Sequence, residues 1–105
     1  MDDFLKELNF SVSICDAEGS ICYLNNKGEE TFAKEGGKEL LGTNILDCHP
    51  EPSKSKLKEM MITHETQAYF KGEGDRKRLI YQTPVYKEGN YAGYFEMIIP
   101  LAGLV

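Results

Sequence analysis

The stretch SVSICDAEGSICYLNN, Ser11 to Asn26, decides the fold. Its two runs SVSICD and SICYLN are rich in β-branched and aromatic residues and are joined by AEG. Glycine supplies the backbone freedom of a tight turn there, so the pair predicts an antiparallel hairpin. Just ahead of it, residues 2–9 predict a short amphipathic helix. Phe4, Leu5 and Leu8 would share a face, with Asp2 and Asp3 at the positive end of the dipole.

After the hairpin, residues 26–46 are helical in character but broken by Gly36, Gly37 and Gly42, which predicts short helical pieces stacked over a sheet. Leu57, Met60, Met61 and His64 then recur at i, i+3, i+4 and i+7, the core stripe of the longest helix. Pro50 and Pro52 stand at its entrance, where a missing N–H costs nothing. The remainder predicts three strands, TQAYFKG, KRLIYQTPVY and YAGYFEMII, joined through EGDR and KEGN. In the last strand Phe95, Met97 and Ile99 form one face, while Ala92, Tyr94 and Ile98 form the other. Leu79, Tyr81 and Val85 line one face of the strand before it. Neither side is properly polar, so the sheet is expected to bury part of its second face. The order is helix, two strands, several short helices, one longer helix, three strands. It predicts an α+β fold: one antiparallel sheet of five strands, with the short helices and the longer one on a single face.

At 105 residues the chain has the length of one domain. A net charge of −5 argues against nucleic-acid binding. The basic run Arg76-Lys77-Arg78 lies beside Glu73 and Asp75 and is read as a solvated turn. No stretch has the length of a membrane span, and MDDFLKEL is unlike a signal peptide. The three cysteines, Cys15, Cys22 and Cys48, form no C-x-x-C pair, which points to reduced thiols in the cytoplasm and no structural metal site.

From about Phe10 onward, the order of elements and several motifs resemble the PAS domain family. ICDAEGSICYLNN is similar to its opening hairpin, in which a strand ends in Asp, turns at Gly and runs to Asn; Asp16, Gly19 and Asn25 hold those places. LLGTNILD resembles the segment before the long helix, and GNYAGYFEMII the closing strand with its Gly93. CHPEPSKSKL resembles a bacterial and archaeal subgroup with a Cys-His-Pro turn. The resemblance divides the chain into an N-terminal helical cap, 1–9, and a PAS domain, 10–105. Two departures narrow it. Gly42-Thr43-Asn44 is followed by Ile45, where flavin photosensors place a reactive Cys, so flavin photochemistry is not expected. Pro100-Leu101 replaces the Asp-Ile-Thr-like exit of domains that relay a signal into a following helix.

NILDCHPEPSKSKLKEMM, Asn44 to Met61, holds the chemically reactive candidates. Cys48 with His49 as its base is a poor catalytic pair, since neighbours in an extended turn point apart. The prolines stiffen the turn, and His49 is expected to donate to a backbone carbonyl. His64 is read as a helix-end residue favoured by the dipole. The resemblance implies a non-enzymatic sensory or regulatory module in signal transduction. It would bind a small ligand between sheet and helices, a signalling protein, or both, in the cytoplasm and with no nucleic-acid or membrane partner; the semi-apolar second sheet face, with the N-terminal helix beside it, predicts a homodimer. The candidate pocket residues are His49, His64, Cys48, Met60, Tyr69 and Tyr81. The alternative is a haem- or metal-binding redox or gas sensor using His49 or His64, with Met60, Met61, Tyr69, Phe70 and Ile80 lining a haem pocket.

Overall fold

The computed structural model describes residues 3–102, the Cys48 side chain excepted. β1 (Ser11–Asp16) and β2 (Ile21–Leu24) pair antiparallel as the hairpin. Its turn is held by Asp16, whose Oδ1 accepts from the backbone N–H of Glu18 at 3.0 Å and of Ser20 at 2.9 Å. Gly19 takes φ 92°, a conformation that a Cβ disfavours.

Asn25 closes the hairpin and is fully buried. Its Oδ1 accepts from Val12 N (2.9 Å) and Gly28 N (2.8 Å), and its Nδ2 donates to the carbonyls of Leu5 and Phe10, both at 2.9 Å. Two acceptor sites meet two donors and two donors meet two acceptors, so the amide is satisfied throughout. One side chain thus ties the N-terminal segment, β1 and the start of α1 (Asn26–Thr31) together.

Three 3-10 turns follow, Ala33–Glu35, Gly37–Leu40 and Ile45–Cys48, and then α2 (Ser53–Thr63). This stretch is stitched to the hairpin by Ile21 N to Thr43 O, Gly42 N to Ile21 O and Ile45 N to Gly19 O, each 2.8 Å. Asn44 adds a side-chain tie, its Nδ2 donating to Glu18 O at 3.0 Å. β3 (Gln67–Lys71), β4 (Arg78–Lys87) and β5 (Asn90–Pro100) complete a five-stranded antiparallel sheet in the order β2-β1-β5-β4-β3. The α+β architecture read from the sequence is therefore present. β5 runs through the middle, so the first and last strands of the chain are neighbours. Gly93 crosses opposite Asp16 at φ 146°, where a Cβ would overlap the Cys15 carbonyl.

Under the helices, Cys15, Met60 and Tyr94 form one buried cluster and Ile21, Leu24 and Leu40 another. The expected α2 stripe is present: Leu57 and Met60 are buried and Met61 is half-buried. The helix expected over residues 2–9 is not. From Asp3 the chain makes turns, with i to i+3 bonds of 3.3 Å from Lys6 N to Asp3 O and Leu8 N to Leu5 O; Asp2 lies outside the described residues. The reason is competition for carbonyls. Leu5 O is shared between Leu8 N and Asn25 Nδ2, and Lys6 O bonds to Asn26 N at 2.9 Å, so these ties hold the segment in turns rather than in an α-helical ladder. Phe4 is correspondingly 86% exposed.

Candidate functional site

Register sets the floor of the site. Ser13 faces Glu96, which faces Gln82, and in the next row Cys15 faces Tyr94, which faces Pro84. Because side chains alternate along a strand, these residues share the sheet face that looks toward the helices. Between that face and the helical layer lies a cavity of about 140 Å³. Ser13, Cys15, Gln82, Tyr94 and Glu96 line it from the sheet, and Phe32, Leu40, Ile45 and Leu57 from the helical side, with Glu35 and His49 as polar members there. Gln82 Nε2 donates to Glu96 Oε2 at 2.7 Å, a charge-assisted bond between two strands in direct register.

His49 enters the cavity wall from the extended residue that ends the 3-10 turn Ile45–Cys48, at φ −116° and ψ 121°. Its Nδ1 lies 2.6 Å from the Ile45 carbonyl oxygen. A carbonyl only accepts, so Nδ1 carries the proton, and in the neutral ring Nε2 is a hydrogen-bond acceptor. The turn's second function is to start α2. The Glu51 carboxylate accepts from Ser55 N at 3.0 Å and from Ser55 Oγ at 2.7 Å, and these bonds hold its pKa below the ordinary glutamate value. His49 thus shapes a wall and Glu51 holds the first turn of α2.

Tyr94 connects the cavity to the far end of α2. Its ring lines the floor, and its hydroxyl donates toward the Met60 carbonyl at 2.5 Å, with the Glu65 carbonyl at 2.8 Å. Burial raises its pKa to about 12, with smaller contributions from Tyr91, Tyr86, Glu65 and Cys15. Burial also pushes the Cys15 thiol up, which suits a packing role beside Met60 rather than a nucleophile's.

Of the expected pocket residues, His49 lines the cavity, whereas Met60, His64, Tyr69 and Tyr81 are not among its lining residues. The side chain of Cys48 lies outside the described residues. Met60 is 1% exposed beneath Tyr94 and Cys15. His64 caps α2 in the left-handed region at φ 61°, and its ring stacks on Tyr91 with centroids 3.9 Å apart. Tyr69 stands on β3, its pKa raised by burial and then by the charge of Glu96. Ser13, Gln82, Glu96 and Glu35 were missed by the sequence reading. The available signal was parity: Glu96 shares its strand face with Ala92, Tyr94 and Ile98, so a charge stands at an inward position.

Haem does not fit these residues as they stand. The macrocycle needs a cleft of at least the several hundred Å³ usual for larger ligands. The cavity here is about 140 Å³ and has two carboxylates in its lining. Among the described residues, no group of three or more His, Cys, Asp or Glu is placed to hold a metal ion. None of the helices described is long and apolar enough to cross a membrane.

No protein-family model matches the sequence, and no curated protein matches it. Solved structures do. A C-terminal domain from Streptococcus mutans is similar over 93% of this chain and 80% of its own, at 16% identity and a TM-score of 0.74. The Aer2 receptor from Vibrio cholerae, described as a dual PAS-haem oxygen sensor, matches over 90% of this chain and 96% of its own, at 16% identity and TM-score 0.66. The PAS domain of histidine kinase ThkA matches over 88% and 99%, at 20% identity and TM-score 0.66. Five antiparallel strands with helices packed on one face and this set of neighbours define the class: the chain is a PAS-fold domain.

Proposed function

We propose that this domain is a non-enzymatic sensory or regulatory module of a cytoplasmic signalling protein, and that it binds a small ligand in the cavity between sheet and helices. The observation that carries the reading is the Gln82–Glu96 pair on the cavity floor, held in register by β4 and β5 under an otherwise mostly apolar roof. A few placed polar groups in an apolar enclosure are what a ligand site requires. Cavities of about 150 Å³ accommodate a benzene-sized molecule, which sets the scale of the ligand. Signalling is a population shift: a ligand that favours one packing of Tyr94 against the α2 terminus changes the domain's surface and a partner's affinity.

The opposite sheet face supports self-association. By strand alternation Ile14, Tyr81, Phe95, Met97 and Ile99 lie there, all half-buried in the single chain, and a second copy is the proposed cover. The haem alternative at His49 or His64 is set aside on cavity size and on the placement of His64 away from it.

A fragment screen followed by amide NMR tests the ligand reading. Saturable shifts clustered at Ser13, Gln82, Glu96 and His49 are expected. Hits scattered over the surface, with these four unmoved, refute it. Sedimentation at high micromolar concentration tests the dimer, and a strict monomer refutes that part.

A further inference from the structure

From the hydrogen-bond inventory of the cavity, we infer that its ligand presents a positively charged donor group, a primary ammonium or amidinium, on a short apolar body. The inference rests on the ligand-binding reading above and names the class of molecule.

The polar groups of the lining are mostly acceptors. Glu96 gives one carboxylate oxygen to Gln82 Nε2 and keeps Oε1. With one N–H of Nε2 engaged, Gln82 retains its Oε1 as an acceptor and the second N–H as a donor. On the other wall the bond from His49 Nδ1 to the Ile45 carbonyl places the proton on Nδ1, so that in the neutral ring Nε2 is an acceptor. Glu35 adds a second carboxylate, and Ser13 Oγ, facing Glu96 in register, can donate or accept. Ser13, His49, Gln82 and Glu96 are half-buried and Glu35 is exposed, so an occupant without donors would displace water from the first four without replacing its hydrogen bonds, which is costly. A neutral alcohol satisfies one of them; an ammonium brings three donors and a charge opposite to that of Glu96.

Charge balance agrees. The ion pairs among the described residues are Lys6–Glu29, Lys27–Glu30 and Lys56–Glu65, so neither Glu35 nor Glu96 has a cationic partner. Arg78 shares the inward parity of β4 but stands four residues before Gln82, roughly 13 Å along the strand. The apolar walls, Leu24, Phe32, Leu40 and Leu57 among them, suit a few methylene groups or one small ring.

The test is a matched panel, n-pentylammonium, n-pentanol and pentanoate, titrated into the full chain at pH 7.5 and followed by amide NMR. Pentylammonium is expected to bind at least about tenfold more tightly than pentanol, the margin of one charge-assisted hydrogen bond. Pentanoate should bind weakest. In Glu96→Gln, which keeps an acceptor for Gln82 Nε2, the preference for ammonium over alcohol should fall to within about twofold. Equal or tighter binding of pentanol or pentanoate at the Ser13, Gln82 and Glu96 signals overturns the cationic inference and leaves the cavity reading intact. Silence of those signals with all three probes at 100 mM overturns both. Should Glu96→Gln fail to fold, the ranking of the three probes on the natural chain decides alone.

Discussion

Replacing Asn25 with alanine removes four hydrogen bonds in one step. Two backbone N–H groups, on Val12 and Gly28, and two carbonyls, on Leu5 and Phe10, lose their partner at a site with no solvent access. At about 1 kcal/mol net for each bond, the loss is about 4 kcal/mol. That is a large fraction of the roughly 5–15 kcal/mol that holds a domain folded. For a chain of this length it corresponds to a fall in Tm of roughly 15–30 °C. Asn25→Asp separates hydrogen bonding from shape. It keeps the acceptor that faces Val12 and Gly28 but turns an oxygen toward the Leu5 and Phe10 carbonyls. Burial against two carbonyls raises that carboxyl's folded pKa, so the variant's stability is full below the ordinary aspartate pKa and lost as pH rises through the folded one. Urea unfolding followed by far-UV circular dichroism, at pH 3.5 and pH 7, measures both variants. An Asn25→Ala loss under 1 kcal/mol at unchanged m, or an Asn25→Asp penalty that does not grow from pH 3.5 to pH 7, would refute the reasoning.

Other outcomes follow from single contacts. Gly93→Ala drives a Cβ into the Cys15 carbonyl at the β1–β5 crossing and should cost about 3 kcal/mol or more, so a near-natural thermal melt would contradict that close approach. Tyr94→Phe removes the tie to the Met60 and Glu65 carbonyls, for about 1–2 kcal/mol and faster hydrogen exchange at the His64 amide. In the natural chain Tyr94 holds its proton to about 12, as does Tyr23 through burial and its bond to Asp3. The stability linked to those protons is full below the ordinary tyrosine pKa near 10 and is lost as pH rises through the folded values. Absorbance at 295 nm should therefore show Tyr23 and Tyr94 among the late-titrating phenols, with one fewer in Tyr94→Phe. His64→Val should cost about 1–2 kcal/mol more than His64→Gly in urea unfolding, because a β-branched residue is strained at φ 61°; equal losses would assign the position's role to the ring stack alone.

The sheet was legible because its signals are local. Asp16 makes the first turn through its own side chain and Gly19 through its backbone freedom, and strand alternation marks β4 and β5 without help from elsewhere. The N-terminal segment was misread because its carbonyls bond to Asn25 and Asn26, about twenty residues away, and no periodicity records that demand. At the site, attention went to histidines, aromatics and methionines, the residue types that ligand chemistry favours. The cavity's charged floor comes from Glu96 meeting Gln82 across two strands, a pairing set by register. Register depends on the β4–β5 turn at Glu88-Gly89 and on the irregularity between Val85 and Tyr86, which composition does not reveal.

The two rims of the sheet are unequal. Along β2, both the N–H and the carbonyl of Ile21 are occupied by the Gly42–Thr43 strip, whereas β3 has no strand beyond it among the described residues. Lys77 guards that open rim, its ammonium 5.0 Å from the ring centroid of the exposed Phe70. An extended segment from another molecule finds more uncovered backbone along β3 than at the Ile21 end of β2. Two copies meeting along β3 would close on each other as a pair, with the Ile21 end of each β2 already bonded within its own chain.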